Sequence, residues 1–367
     1  MKQLRGVFRF CALGLRASIL ESDVELCISI VKGGSIKFIL IHMARIAFCG
    51  MLALCGTSSV LASEGGSGTS FSIRWENDTF GGTDANYTNG FSLALSQTGS
   101  GLTGGIWDLL GHLPGRRSAA YDLVQLQFTP DDIERANPDP NDRPYAGILY
   151  LGLTTFREHN DSLHGLKILF GVVGPASFGE ELQRATHRAI GSKLPQGWDF
   201  QLKNEPIVNI DYEYRRRIPI TRRDASFRLE MLPTAAVMLG NYLIRADIGT
   251  QIRFGYQLPN DYGATTLRDI GVSPFPVVEG ASQVGGWYVY AGGKASLIGR
   301  DMTLDGNTFA ESRNVDKRLF VPSAEFGASV WLRFFQTTFS YSMRGDEFYG
   351  QKVREDFGSI LMTVFFR

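Results

Sequence analysis

The chain has 367 residues, and its 37 Lys and Arg balance its 37 Asp and Glu, so the formal net charge at pH 7 is zero. A protein that binds nucleic acid carries a basic excess, and we therefore expect no nucleic-acid partner. After residue 63 no apolar run approaches the roughly 20 residues that a transmembrane helix needs. This excludes a helical membrane protein. A membrane β-barrel remains compatible, because it hides its apolar face in alternation.

An export signal is predicted near the N-terminus. Residues 43–62 place Arg45 before an apolar stretch, with Val60 and Ala62 at the −3 and −1 positions. This pattern is typical of a secretory signal peptide that is cleaved after Ala62. All four cysteines lie in the first 55 residues, so an exported domain of residues 63–367 would contain none, which suits an oxidising compartment.

Residues 1–42 precede this signal and have no evident role in export. One interpretation is that translation begins at Met43 and that residues 1–42 are an extension of the gene model. The alternative is an uncleaved helical anchor.

Segments of alternating polarity begin at Phe71 and are separated by clusters of Gly, Pro, Asn and Asp. Alternation has the period of a β-strand, and most segments approach the roughly 9–11 residues of a tilted membrane strand. An even number of strands suits a barrel with both termini in the periplasm. We predict twelve strands, near residues 71–77, 90–97, 121–128, 147–156, 164–173, 207–216, 226–238, 245–256, 285–298, 320–331, 334–343 and 357–366.

The predicted fold is therefore all-β: a transmembrane antiparallel β-barrel of about 12 strands with a short helix in an extracellular loop. Closure is expected, because lipid offers no partner to an unpaired backbone edge. A soluble β-sandwich is the alternative, since alternation on single strands does not distinguish a dry core from lipid. The signal peptide, the even strand number and the strand lengths favour the barrel.

The connections have unequal lengths, which gives the barrel an orientation. If the first strand rises from the periplasm, the mostly long connections 78–89, 129–146, 174–206, 299–319 and 344–356 are extracellular, as in bacterial barrels. Two long connections disobey this asymmetry, residues 98–120 and 257–284, and there we expect additional periplasmic structure.

Unusual polar residues collect on the first three extracellular connections, which would meet at one mouth of the barrel. In the third connection, Ser177 and Glu180 form a predicted capping box, and Gly191 is the expected helix stop. Gln183 and His187, spaced i and i+4, would share one helix face. Histidine suits general-base chemistry near neutral pH, although a lone histidine is more often a surface or packed residue.

Asn77 and Asp78 end the first predicted strand. Their oxygens are hard ligands that suit calcium, whereas the alternative is ordinary turn chemistry before Gly81 and Gly82. The sequence contains no HExxH, CxxC or GxSxG motif, so zinc-protease and α/β-hydrolase functions lack support.

Four motifs together resemble one family. END…TD-x-x-YTNG (76–90), DRPYAG (142–147), GPxSxGEExQxxxH (174–187) and GWDxQLxNEP (197–206) are similar to the lipid A 3′-O-deacylases of the Gram-negative outer membrane. The resemblance spans most of the mature chain. It implies a twelve-stranded barrel, calcium as cofactor, lipid A of the outer-leaflet lipopolysaccharide as substrate, and an enzyme that we expect to be monomeric.

The resemblance also implies roles for individual residues. His187 matches the histidine that activates water, Asn77 and Asp78 match the Asn-Asp pair with Asp78 at the calcium, and Thr88 and Gln183 match two further catalytic-site residues. By this reading, calcium beside Asp78 would stabilise the negative charge that develops on the ester carbonyl oxygen.

One position departs from the family pattern. Lys193 stands where the family has an acidic residue, six positions after the histidine, so Glu205 or no residue at all would orient His187. Arg135, Arg143 and Lys193 are candidates to hold the phosphates of lipid A, with solvated loop charge as the alternative and a loop carboxylate as a further partner for Arg143.

Two other functions remain open at this stage. An outer-membrane phospholipase would need a serine nucleophile beside a histidine. A non-enzymatic pore or surface-binding barrel would need a free lumen or a binding face, and about twelve strands leave little free lumen.

Overall fold

The computed structural model describes residues 68–81, 86–103, 105, 114–268 and 285–366. The predicted signal peptide at 43–62 and the extension at 1–42 lie outside these residues. Residues 184–194 belong to one compact unit, and the other described residues belong to a second unit that contains the barrel.

Twelve long antiparallel strands form the barrel, and all twelve predicted segments are confirmed with bounds that differ by a few residues. A two-residue strand, β7, pairs with the start of β8. The strands are β1 (Thr69–Asn77), β2 (Asn86–Thr98), β3 (Arg116–Thr129), β4 (Ala146–His159), β5 (Ser162–Val173), β6 (Glu205–Arg216), β7 (Ile218–Pro219), β8 (Phe227–Gly240), β9 (Leu243–Tyr256), β10 (Gly285–Asp301), β11 (Phe320–Leu332), β12 (Phe335–Arg344) and β13 (Asp356–Phe366).

Two pairings close the sheet into a barrel. Most strands pair with their neighbours in the chain, β1 also pairs with β13, and β6 also pairs with β8. The twelve long strands therefore leave no open edge. This is the closure that a lipid environment demands.

The two faces of the barrel wall are inverted relative to a soluble protein. On β9 the buried side chains between Arg245 and Arg253 are polar or charged and most exposed residues are apolar, and β6 shows the same alternation from Asn209 to Arg215. A soluble sandwich would bury its apolar face, so this arrangement excludes it and fits a wall between lipid and a polar lumen. The residues concerned on β9 are Arg245, Asp247, Gln251 and Arg253 on the buried face, and Ile244, Ile248, Ile252 and Phe254 on the exposed face.

Helix α1 (Gly179–Ile190) lies in the third long connection, as predicted. The predicted capping box does not form. Ser177 belongs to a preceding 3-10 turn, and its Oγ has no hydrogen-bond partner among the described residues. Instead, Phe178 adopts a left-handed conformation with φ of 57°, and its carbonyl accepts the Leu182 N–H at 3.1 Å. Gly191, with φ of 74°, follows the last helical residue and confirms the predicted stop.

A second, shorter helix, α2 (Met302–Asp305), begins directly after β10. Within the described ranges, no helix has the length and apolar character required to cross a membrane.

The connection after β9 differs from expectation. Its described part, residues 257–268, was predicted to form periplasmic structure, but it contacts inward-facing side chains of several strands. Arg74 of β1, Arg215 of β6 and Gln251 of β9 all donate hydrogen bonds to it. A segment that touches opposite walls of a barrel lies within the lumen. The prediction of periplasmic structure was therefore wrong for residues 258–268.

Candidate functional site

Asn77 and Asp78 stand where β1 ends and a 3-10 turn, Asp78–Gly81, begins. The Asn77 amide holds this corner: Nδ2 donates to the Thr88 carbonyl at 2.9 Å, and Oδ1 accepts the Thr79 N–H at 2.9 Å. The Thr88 hydroxyl lies 2.7 Å from that of Thr129 on β3. Asn77 therefore does stabilise the turn, as the alternative considered from the sequence proposed. Asp78, the next residue, is buried.

Calcium is the cofactor that the family resemblance implies, and the oxygens near this corner are its candidate ligands. Among the described residues, no group of three or more Asp, Glu, His or Cys side chains is arranged to hold a metal ion. Calcium sites also use backbone and amide carbonyl oxygens and water beside carboxylates. The buried Asp78 carboxylate and the oxygens of Thr88 are hard donors of this kind, so the donor chemistry fits calcium. Asp84, the aspartate of the TD pair in the first motif, lies outside the described residues.

Glu76, one residue before Asn77, is fully buried and already engaged. Its carboxylate accepts the Tyr87 hydroxyl at 2.9 Å and the Leu267 N–H at 2.7 Å. Through these two bonds, Glu76 connects the end of β1 to β2 and to the segment that lies in the lumen.

Gln183 on α1 links the third family motif to the fourth and, through Trp198, to the second. Its side chain is buried, and its Oε1 accepts the Trp198 indole N–H at 2.7 Å. The Trp198 ring packs on Tyr145 of the DRPYAG segment, with ring centroids 4.9 Å apart. Because an indole N–H only donates, this bond fixes the amide orientation. The Gln183 Nε2 then points away from Trp198 and has no hydrogen-bond partner in the described part of the chain.

Two glycines explain how closely α1 approaches the barrel wall. A Cβ on Gly179, the first helical residue, would lie 2.9 Å from the Gly147 Cα and 3.1 Å from the Trp198 ring. A Cβ on Gly147 would lie 2.2 Å from the Ser177 Oγ. The backbones of α1 and β4 are therefore in direct contact, which only residues without side chains permit.

His187 belongs to the unit formed by residues 184–194, and its side chain is buried. Its Nδ1 bonds to the main-chain carbonyl of Lys193, while its own carbonyl accepts the Ser192 N–H at 2.9 Å. A carbonyl oxygen only accepts, so Nδ1 carries the proton and Nε2 holds the basic lone pair. Position 193, where the family pattern has an acidic side chain, therefore contacts His187 through its main-chain oxygen.

Glu205, considered from the sequence as an alternative partner for His187, is held elsewhere. Its carboxylate accepts the N–H groups of Thr308 at 2.8 Å and Phe309 at 3.1 Å, and the Asn307 amide at 3.1 Å. It ties the loop after α2 to the start of β6.

The three candidate phosphate-binding cations differ in exposure. Arg135 and Lys193 are exposed. Arg143 is buried, forms an ion pair with Glu347, and lies 5.1 Å from the Phe128 ring centroid. The loop-carboxylate partner considered for Arg143 from the sequence is therefore the one observed.

A buried cluster of ions around Glu347 was not anticipated from the sequence. Arg268 donates to Glu347 at 2.6 Å and to Glu355 at 3.2 Å, and Arg344 donates to Glu347 at 2.9 Å. Its members come from distant segments, and no local motif marks them. With Arg143, three guanidiniums surround two carboxylates.

The two carboxylates of this cluster titrate differently. Burial alone would raise the pKa of Glu347, but Arg268, Arg143 and Arg344 outweigh it and hold the pKa well below its usual range. Burial, followed by the neighbouring Glu347 carboxylate, raises the pKa of Glu355 to about 7. One carboxylate therefore carries most of the negative charge that balances the arginines.

The fold defines the class of protein to which this chain belongs. A closed barrel of twelve long strands, with an apolar outer face, a charged lumen and a helix in a long loop, is an outer-membrane β-barrel. The unit that contains the barrel carries the Asn77–Asp78 corner, Thr88 and Gln183, whereas His187 belongs to the unit of residues 184–194.

The comparisons with known proteins identify the family. Residues 47–366 match the family model described as "Outer membrane protein LpxR", and the chain belongs to this family of the outer membrane. Among solved structures, LpxR from Salmonella typhimurium is similar, with a TM-score of 0.65 and 19% identity, over 81% of this chain and 100% of that chain. A search of curated proteins found no match.

Two other outer-membrane structures are similar at a lower level. The β-domain of the Bordetella autotransporter BrkA has a TM-score of 0.37 and 11% identity, over 82% of this chain and 96% of that chain. The COG4313 outer membrane channel from Pseudomonas putida F1 has a TM-score of 0.36 and 10% identity, over 83% of this chain and 97% of that chain.

Proposed function

We propose that this protein is a calcium-dependent lipid A 3′-O-deacylase, a carboxylic ester hydrolase that removes an ester-linked acyl chain from lipopolysaccharide in the outer leaflet. Family membership supports the substrate class. The observation that carries the chemistry is the bond from the His187 Nδ1 to the Lys193 carbonyl, because it leaves Nε2 as a base.

The reaction requires one proton carrier. The His187 Nε2 takes a proton from water, and the water oxygen bonds to the ester carbonyl carbon. When this adduct collapses, the bond to the sugar 3′-oxygen breaks, and that oxygen takes the proton back from His187. The products are a fatty acid and a sugar hydroxyl, and no covalent acyl-enzyme forms.

Other residues assist at the carbonyl oxygen, where negative charge develops. Gln183 can donate its Nε2 hydrogens there, since its Oε1 is already engaged by Trp198. Asn77 and Thr88 hold the corner that presents Asp78. Calcium, when bound at Asp78, supplies fixed positive charge that favours the same developing charge.

The phosphates of lipid A need cationic partners at the surface. Arg135 and Lys193 are exposed and suit this role. Arg143 stays a candidate from the sequence, but its buried pairing with Glu347 favours the other two.

Mass spectrometry of lipid A tests the proposal directly. Cells that express the wild type should lose one ester-linked acyl chain from lipid A, and His187→Ala should abolish that loss while the barrel still inserts. His159→Ala is the matched control, because His159 is an exposed histidine at the end of β4. An unchanged lipid A mass at every calcium concentration would refute the proposal.

Two further measurements separate the alternatives. Labelling by an active-site serine probe would favour a phospholipase with a serine nucleophile. Removing calcium with a chelator should stop acyl release, and adding it back should restore release. Activity that persists after chelation would remove calcium from the proposal and leave His187 in it.

A further inference from the structure

The segment from Leu258 to Arg268 crosses the barrel lumen from one end to the other. It begins at the end where β9 finishes, which is the periplasmic end by the topology. There the Arg217 guanidinium lies 5.0 Å from the Tyr262 ring centroid, and the Tyr262 hydroxyl donates to Glu158 of β4 at 3.2 Å. Asp261 forms an ion pair with Arg253 of β9.

The middle of the segment bonds to the wall at half depth. The Ala264 N–H donates to the Gln251 Oε1 at 3.1 Å, and the Gln251 Nε2 donates back to the Ala264 carbonyl at 3.4 Å. On the other side, Arg74 of β1 donates to the Thr265 hydroxyl at 3.1 Å. Side chains of the wall thus replace the strand partners that this backbone lacks.

The tip of the segment reaches the candidate site. The Leu267 N–H donates to Glu76, next to the Asn77–Asp78 corner, at 2.7 Å. The Arg268 guanidinium binds Glu347 and Glu355, which lie in the loop between β12 and β13. It is buried and also lies 5.0 Å from the Phe128 ring centroid.

The length of the segment is sufficient for this path. Eleven residues reach at most roughly 36–40 Å when fully extended. The apolar band of an outer-membrane barrel is about 25 Å tall. An extended segment of this size can therefore join the two ends of the barrel, as the ordered contacts from Arg217 to Glu347 indicate.

We propose that residues 258–268 are a plug that closes the lumen, and that Arg268 locks its tip and thereby positions Glu76 behind the Asn77–Asp78 corner. Arg268 is a positioning residue, since it acts on the site through the segment and Glu76. The plug does not depend on the enzymatic proposal. Only the expected effect of Arg268 on acyl release rests on that proposal.

A single-cysteine reporter tests the lock without any enzymatic readout. The four native cysteines lie in the first 55 residues, so changing them to serine leaves the barrel free for Ala264→Cys at a buried position. A membrane-impermeant maleimide should label this cysteine slowly in the wild-type background and at least tenfold faster with Arg268→Ala. Arg222→Ala is the control, because Arg222 is exposed and paired with Asp224.

Conductance tests closure of the lumen. In planar bilayers the unmodified barrel should be closed, and Arg268→Ala should show open events. A large steady conductance of the wild type would overturn the plug. Rapid labelling of Ala264→Cys in the wild-type background, or labelling that Arg268→Ala leaves unchanged, would overturn it as well.

Acyl release tests the positioning role. Arg268→Ala should lower kcat about tenfold at unchanged KM, and Arg268→Lys should restore part of the loss. An unchanged kcat in Arg268→Ala would remove the positioning role. If the wild type released no acyl chain, the enzymatic proposal would fail, whereas labelling and conductance would still decide the plug and its lock.

Discussion

Trp198 donates its indole N–H to the Oε1 of Gln183 at 2.7 Å, and both side chains are buried. This bond joins the loop before β6 to helix α1, and it fixes which end of the Gln183 amide is a donor. The amide nitrogen is therefore the end that can donate to another group, a distinction that a sequence motif does not contain.

Gln183→Glu separates the two ends of that amide. The substitution keeps the oxygen that accepts from Trp198 but removes the Nε2 donor. We expect acyl release to fall by about 10²-fold, the usual loss for one oxyanion donor. Steady-state kinetics on purified lipid A would measure it. Trp198→Phe is the converse control, because it removes the bond and leaves Nε2 in place. Full activity of Gln183→Glu would exclude Nε2 from catalysis.

Lys193 offers a test of how His187 is oriented. The His187 Nδ1 bonds to the main-chain carbonyl of Lys193, so Lys193→Ala preserves that acceptor. We expect its kcat and pH profile to stay close to wild type. KM should rise by up to about tenfold if the ammonium holds a lipid phosphate, which corresponds to roughly 1.4 kcal/mol. His187→Ala should lose about 10²–10⁴-fold in kcat.

The pH–rate profile of Lys193→Ala decides between a backbone and a side-chain partner. If the profile shifts and kcat falls as far as in His187→Ala, the side chain of Lys193, rather than its carbonyl, would be the group that orients His187.

The barrel was predictable because each strand of a single-layered wall has one face against lipid and the other against the lumen, so apolar and polar residues alternate along it. On β9, Ile244, Ile248 and Ile252 face lipid, whereas Arg245, Asp247 and Arg253 face the lumen, and this alternation is visible in the sequence. Strand ends were less predictable, because alternation fades where a strand leaves the apolar band. β2, for example, begins at Asn86 rather than near residue 90.

The candidate site was predictable only where side chains, rather than main-chain groups, form it. The carbonyl that orients His187 is invisible in a sequence, since every residue has one. Arg268 and Glu347 meet across 79 positions of the chain without any local motif. The capping box failed because Phe178 takes a left-handed conformation, which the pattern of Ser177 and Glu180 does not reveal.

Gly179→Ala tests the contact between α1 and β4. In a helix, alanine normally stabilises relative to glycine by about 1 kcal/mol. Here the added Cβ would lie 2.9 Å from the Gly147 Cα, so we expect a loss of about 1–3 kcal/mol instead. Guanidinium unfolding in phospholipid vesicles, followed by tryptophan fluorescence, would measure it. Gly293→Ala is the control, because its Cβ would meet nothing closer than 3.8 Å. Equal stability of both variants would argue against the close contact.

The buried ion cluster predicts opposite effects for two identical chemical changes, Glu347→Gln and Glu355→Gln. The pKa of Glu347 is lowered in the folded state, so its stabilisation is present above the unfolded value of 4.5 and is lost as the pH falls through the lowered pKa. Removing this charge at pH 8 leaves three guanidiniums undercompensated. We expect a loss of about 3 kcal/mol or more, as for other broken buried pairs.

Glu355 has the reverse dependence, because its pKa is raised in the folded state from 4.5 to about 7. Its proton stabilises the fold at low pH, and that contribution is lost as the pH rises through about 7. Glu355→Gln mimics the protonated form. It should therefore match or exceed the wild type in stability at pH 8 and equal it at pH 4. Unfolding free energies of both variants at the two pH values would decide. A Glu355→Gln variant that is as unstable as Glu347→Gln at pH 8 would mean that both carboxylates are ionised against the arginines.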